Sequence, residues 1–273
     1  MRFVFLAILV LLFDLIFAQH NGAKEGGMGG VMSTNTSVFC AAYSPAAAGF
    51  STNSQFGVNI LNHGAFNDFY TGTIAAIHHS SRGVFSYTLQ SFGIKNFRET
   101  NCGLGYAKKL IDTWSVGIRA NWHHIRIPNY GKKQVVSFDL GSLYQISKQV
   151  QIAFTIRNPV KHPLEKQFSS SRSSSIVIGA AFQPTDKIYL ACDLNKILGE
   201  GIRWHMGMNY TLHPMVEVRT GVSMKPYSIH GGIGINWQKC QFSYSSSWQT
   251  SVGFSSQISL SYDFIPGKTE QSN

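Results

Sequence analysis

Residues 215–223 read MVEVRTGVS. Val216, Val218, Thr220 and Val222 recur at every second position, and Glu217 and Arg219 stand between them. Successive side chains of a strand point to opposite faces, so this segment has one apolar face and one face bearing two full charges. A strand of a soluble sandwich turns its charges to water and its valines to a core. The segments on either side decide which way round this one lies.

The same alternation recurs along the chain. Residues 115–122 set Val116, Ile118, Ala120 and Trp122 against Ser115, Gly117, Arg119 and Asn121. Residues 151–157 set Ile152, Phe154 and Ile156 against Gln151, Ala153, Thr155 and Arg157. Residues 203–211 set Trp204, Met206, Met208 and Tyr210 against Arg203, His205, Gly207, Asn209 and Thr211. Counting every such run predicts fourteen strands, near 55–61, 71–78, 84–94, 97–109, 113–126, 134–146, 149–157, 174–183, 186–194, 202–212, 215–223, 228–237, 239–248 and 252–264, and no helix beyond Phe50. That is about 15 residues per strand and turn, enough for the roughly 9–11 residues of a tilted bilayer crossing. Ile111-Asp112, Ser147-Lys148, Thr185-Asp186, His213-Pro214 and Lys225-Pro226 punctuate the runs as turns.

The second face selects the architecture. It carries Gly, Ser, Asn, Gln and Thr with sparse ions, where a sandwich would place many Lys and Glu. Small polar side chains suit an enclosed interior. The apolar face, with Trp114, Trp122, Trp204, Tyr210, Trp237 and Trp248 near strand ends, suits lipid with aromatic girdles. Closure follows, because an open sheet edge in hydrocarbon leaves backbone groups unpaired at several kcal/mol each. The fold class is therefore all-β: one closed antiparallel transmembrane β-barrel of about fourteen strands, and MVEVRTGVS turns its valines to lipid. The terminal QISLSYDF, ending at Phe264, has the form of a strand recognised for outer-membrane insertion.

Bulk composition agrees. Charged residues are only 13% of the 273, about half the usual share, while 19 Phe, 11 Tyr and 26 Gly run high. Mean hydropathy is −0.03, so the chain is apolar in alternation and not in blocks. The net charge of +10 is scattered, with nothing denser than Lys108-Lys109 or Lys132-Lys133, which argues against a nucleic-acid partner and for an anionic membrane surface. Residues 1–18, with Arg2, an apolar run to Phe17 and Ala18 before Gln19, read as a cleaved secretory leader. The chain is expected in the outer membrane of a Gram-negative cell.

No enzyme chemistry emerges. His78-His79 and His123-His124 cannot chelate a metal from one side, since neighbours on a strand face opposite ways. The serine-rich SSSRSSS at 169–175 lacks a nucleophile elbow. GGMGG and GGIGIN lack the strand-to-helix context of a phosphate loop. No metal or cofactor is expected. Cys40, Cys102, Cys192 and Cys240 are widely spaced, and the sequence leaves their disulfide state open.

Residues 22–50, GAKEGGMGGVMSTNTSVFCAAYSPAAAGF, are rich in Gly and Ala and lack alternation. Met28-Gly29-Gly30 followed by Ser44-Pro45-Ala46-Ala47 resembles the start of the FadL-like outer-membrane barrels, with Ser44 in place of the usual Asn. GLGYAKKL at 103–110, TIRNPVK at 155–161 and QISLSYDF resemble the Bacteroidota branch of that family, the PorV and PorQ type associated with type IX secretion. The resemblance implies fourteen strands and a small hatch folded into the lumen. It divides the chain into a leader (1–18), a hatch (19–50, with Met28, Gly29, Gly30, Ser44 and Pro45), a barrel (51–264) and a polar tail (265–273).

The face that looks into the barrel carries Arg119, His123, Asp139, Arg157, Asp193, Arg203, His205, Glu217, Arg219 and Asp263. One reading makes these an ion-pair network that fills and stiffens the barrel; another makes them a polar path or ligand contact gated by the hatch. The resemblance implies passage of a small hydrophobic molecule. Against it stands a barrel that passes nothing and docks a secretion or surface-anchoring machine. A secreted soluble β protein is the third reading.

Overall fold

In a computed structural model, the described residues are 22–64, 69–94, 97–128, 131–159, 174–250 and 253–264. The leader read at 1–18, the tail at 265–273 and most of the serine-rich stretch lie outside them. Fourteen strands follow in chain order. They are β1 (Ser54–Asn62), β2 (Tyr70–Ser80), β3 (Gly83–Ile94), β4 (Phe97–Ile111), β5 (Trp114–Ile127), β6 (Gly131–Gln145) and β7 (Val150–Arg157), then β8 (Ser175–Thr185), β9 (Ile188–Ile197), β10 (Ile202–His213), β11 (Val216–Met224), β12 (Ser228–Trp237), β13 (Cys240–Gln249) and β14 (Gly253–Phe264). Each pairs antiparallel with its neighbours in sequence, and β1 closes on β14 from Ser54↔Phe264 to Asn62↔Ser256. No described helix is long and apolar enough to cross a membrane; the crossing elements are the strands.

The division of faces is sharp. On β5, Ile118 is 48% exposed and its neighbour Arg119 is 1% exposed. On β11, Val216, Val218 and Val222 point outward while Glu217 and Arg219 are buried inward. Phe154 and Leu190 are likewise exposed on the outer surface. Two aromatic levels ring the barrel: Trp114, Tyr144, Tyr210, Trp237 and Tyr262 near one rim, and Tyr70, Trp122, Trp204 and Trp248 near the other.

The rims differ. The rim holding both chain ends has tight connections such as 81–82, 112–113, 186–187, 214–215 and 238–239. The opposite rim includes the longer 63–69 and 158–174 connections. Short turns mark the periplasmic side of such barrels, so the second rim faces outward from the cell. The β5–β6 hairpin rises above β7 on that rim: Asp139 is level with Arg157 at the end of β7, and β6 starts eight residues earlier at Gly131.

Candidate functional site

Residues 22–50 lie inside the barrel. They form a short helix α1 (Ala23–Gly27) and two 3-10 segments, Cys40–Ala42 and Pro45–Phe50. Helix α1 packs on β11–β14, and the 3-10 segments pack on β3–β6, so the segment spans the lumen. Ala23, Glu25, Met28, Val31, Cys40, Ala41, Ala46 and Ala47 are all fully buried. This is the hatch.

Two glycine pairs on facing strands make its seats. Gly207 and Gly221 are cross-strand partners on β10 and β11. A Cβ on Gly207 would lie 2.7 Å from the Met28 carbonyl carbon, and one on Gly221 would lie 2.8 Å from the Gly29 Cα. Gly117 and Gly141 are partners on β5 and β6, where a Cβ would lie 2.6 Å from the Pro45 carbonyl carbon and 3.1 Å from the Ala46 nitrogen. Backbone approaches backbone at both places, which is what inward glycines in a strand permit. The seated residues are Met28-Gly29 and Pro45-Ala46, the two motifs singled out in the sequence. Gly29 itself has φ +72°, a conformation that glycine adopts without strain.

Side chains of the wall then grip the hatch backbone. Asp193 on β9 is fully buried and accepts from the Met32 amide at 2.8 Å, the Ser33 amide at 3.0 Å and the Ser33 hydroxyl. His205, its cross-strand partner on β10, bonds through Nδ1 to the Gly29 carbonyl at 2.7 Å. Arg119 donates to the Ala41 carbonyl at 3.0 Å, to Asn121 Oδ1 at 2.6 Å and to the Thr88 hydroxyl. Asn121 in turn donates to Asp139 at 2.7 Å, and Asp139 also accepts from the Asn158 amide. The Arg157 guanidinium lies 4.6 Å from the Tyr43 ring centroid, and Lys109 Nζ lies 4.8 Å from that of Phe50. Burial pushes the Tyr43 hydroxyl up to about 12, the Arg157 charge offsetting part of the rise.

The ten inward residues therefore fall into groups. Arg119, Asp139 and Arg157 surround the 3-10 segments; Asp193 and His205 hold residues 29–33; Glu217 and Arg219 lie beneath α1, with Gly27 against the Arg219 stem. Arg203 pairs with Glu200 at 2.7 Å at the outer rim. His123 bonds Ser137 at 3.1 Å, and Asp263 is level with Gln55 at the terminal rim. Among the described residues, mutual ion pairing is a small part of what these charges do; gripping backbone is the larger.

The ion pair Arg219–Glu217, 2.5 Å, sits in a saturated network. Arg219 also donates to Asn209 and Ser243, both at 2.9 Å, and Glu217 accepts from Asn236 at 2.9 Å. Removing one partner of a buried pair strands the other at about 3–5 kcal/mol. Glu217→Ala is expected to lower the temperature at which the folded band converts to the unfolded one on a gel, while Val218→Ala on the lipid face leaves it nearly unchanged.

Sequence reasoning missed several contributors. Glu25 of α1 is fully buried and accepts from Asn35 at 2.8 Å, Ser37 at 2.6 Å and the Cys40 thiol at 3.4 Å. Burial, reinforced by the Glu25 charge, holds that thiol well above its usual range. Ser115 donates to the Ala46 carbonyl at 2.9 Å, and Tyr189 bonds Thr34 at 2.9 Å. All four cysteines are free.

At the outer mouth the inner face turns aromatic. Phe92 lies 5.8 Å from Phe69, 6.0 Å from Phe97 and 5.6 Å from His63, ring centre to ring centre. His63, just beyond β1, bonds Thr71 at 2.9 Å. Burial drives its pKa down to about 4 from an ordinary 6.5. The neutral ring is thus the folded form, so its contribution is complete above pH 6.5 and is lost as pH falls towards 4. Thermal stability is expected to drop across that window, and His63→Gln is expected to flatten the drop. At the same mouth, a cavity lined by His63, His205, His230 and Lys225 measures about 40 Å³, room for a few waters at most.

Fold and site together define a closed membrane β-barrel whose lumen is occupied by the folded segment that precedes its first strand. No protein-family model matches the sequence, and no curated protein matches it either. Solved structures do. The toluene transporter TbuX of Ralstonia pickettii superposes with a TM-score of 0.72 at 11% identity, over 92% of this chain and 100% of that one. A monoaromatic hydrocarbon channel, a TodX mutant, gives 0.73 at 11% over 91% and 100%. A FadL homologue of Pseudomonas aeruginosa gives 0.60 at 11% over 90% and 98%. At these identities the likeness is one of fold: the chain is built like the FadL-type barrels.

Proposed function

We propose that the protein is a FadL-type outer-membrane channel that passes a small hydrophobic molecule, with residues 22–50 as its gate. The observation that carries this reading is the hatch itself, seated on glycine berths and held to the wall by side-chain-to-backbone bonds. Such bonds are each worth a few kcal/mol at most and break without unfolding the barrel. The similar structures are a toluene transporter and monoaromatic hydrocarbon channels, which supports a hydrophobic cargo. The aromatic cluster around Phe92 supports it as a first contact for such a cargo at the outer mouth. The luminal backbone abuts wall glycines at both berths, and on this reading passage comes with a shift of the hatch.

The likeness reaches FadL-type barrels in general and lends nothing to the narrower secretion-associated branch or to a docking role. The test is uptake of labelled toluene by cells with an intact outer membrane and no channel of their own. Expression of this protein is expected to speed uptake, and Phe92→Ser to slow it. Uptake at the background rate, with the barrel co-purifying in a large assembly, would favour the docking reading.

A further inference from the structure

One sector of the outer wall carries a charge pattern that the channel reading does not use. Cross-strand register aligns Cys102, Trp122 and Val136 at the outer aromatic level of β4–β6. Two residues further out, Thr100, His124 and Gln134 form a polar row, with the His124 ring stacked on Trp122 at 5.6 Å. Two residues beyond that, Arg98, Arg126 and Lys132 stand side by side on three adjacent strands, all exposed and all on the lipid side.

Cross-strand neighbours are about 5 Å apart, and like charges so placed repel. Among the described residues of β3–β6 no outward carboxylate answers them: Glu99 and Asp139, the acids of these four strands, are buried on the inner face. Depth fits a headgroup. Lys108 lies ten residues down the same strand, which at about 3.3 Å per residue and a tilt near 40° is about 25 Å, the height of the apolar band of such barrels. The cation row therefore sits at the outer-leaflet headgroup level.

Directly below it the wall is hollowed. The small outward residues Ala76, Cys102 and Ala120 lie among Tyr87, Leu104 and Trp122, leaving an apolar groove of about 320 Å³. That is the lower end of the range for ligand sites. Cys102 is four residues below Arg98, about 10 Å in depth at that tilt, so the groove begins where the acyl chain of a lipid held at the row would enter.

We infer that this sector binds a phosphate-bearing, acylated lipid of the outer leaflet, its phosphate on Arg98, Arg126 and Lys132 and one chain in the groove. The inference rests on register, charge and shape of the outer surface and is independent of what crosses the lumen.

The full-length protein in detergent, titrated with bisphosphorylated lipid A and read by native mass spectrometry, tests it. Wild type is expected to hold one lipid A, and R98Q/R126Q/K132Q to bind it roughly a hundredfold more weakly. Lipid A stripped of phosphate is expected to bind wild type as weakly, a comparison that needs no variant to fold. Ala120→Phe, which fills the groove, is expected to weaken lipid A binding in barrels that still migrate as folded. Equal binding of phosphorylated and stripped lipid, undiminished binding by the triple variant, or displacement of lipid A by equimolar inorganic phosphate would each overturn the assignment.

Discussion

Asp193→Ala is expected to release the hatch while leaving the barrel folded. The substitution strips acceptors from the Met32 amide, the Ser33 amide and the Ser33 hydroxyl at once, all in a buried setting. A hydrogen bond to a charged group contributes about 1.5–3 kcal/mol, and a donor left buried without an acceptor costs about 1–3 kcal/mol. The hatch is therefore expected to lose on the order of 4–6 kcal/mol of docking free energy. The strand pairs of β9 remain intact, since its ladders to β8 and β10 are backbone bonds. Asp193→Asn separates charge from geometry. Its carbonyl can accept from both amides, and its NH₂ can donate to a Ser33 hydroxyl turned into an acceptor. The Asn variant is expected to stay near wild type.

Cys40 reports the outcome in a background where the other three cysteines are serine. Its thiol is buried and held protonated, so it resists alkylation while the hatch is seated. Rapid alkylation of the Ala variant, slow alkylation of wild type and of the Asn variant, and unchanged heat-modified gel migration for all three are expected. Equal labelling of all three would mean that Asp193 does not hold the hatch.

Gly207→Val is expected to act as strongly by a different route. A Cβ there lies 2.7 Å from the Met28 carbonyl carbon, closer than real Cβ atoms pack, and what it meets is backbone that cannot swing aside. Valine suits a strand, so the barrel gains a compatible residue while the hatch loses its seat. The expected result is a conducting barrel in a planar bilayer where wild type is closed, together with protease cleavage within residues 22–50. Gly231→Val is the control, because a Cβ at Gly231 meets nothing within 4 Å. Closure and protease resistance are expected to persist there.

The barrel was legible because its determinants are local. Alternation and turn residues placed each of the fourteen strands within three residues of its observed ends. β6 begins earlier than expected because Lys132 and Lys133 break the apolar pattern where the hairpin rises above the apolar band. The inside and outside were legible because lipid tolerates no unpaired charge, so Glu217 and Arg219 had to face inward.

The hatch contacts were not legible, because they join residues far apart in the chain. Asp193 grips Met32 across 161 positions, and Arg119 grips Ala41 across 78. Nothing in the alternation separates Asp193 from Asp263, whose side chain bonds Gln55 at the terminal rim. One signal was available: with strand order known, Gly117 faces Gly141 and Gly207 faces Gly221, and paired inward glycines mark places where another backbone must fit.

Cargo is expected to pass only when residues 22–50 leave their seat. Ser44 on the hatch and Thr155 on β7 place their hydroxyls 3.4 Å apart in a buried setting. Cysteines at both positions, in a background without the native four, put two sulfurs within reach of a disulfide. Toluene uptake by cells carrying S44C/T155C is expected to stop on oxidation and to return on reduction. Uptake that continues unchanged with the disulfide formed would contradict the account.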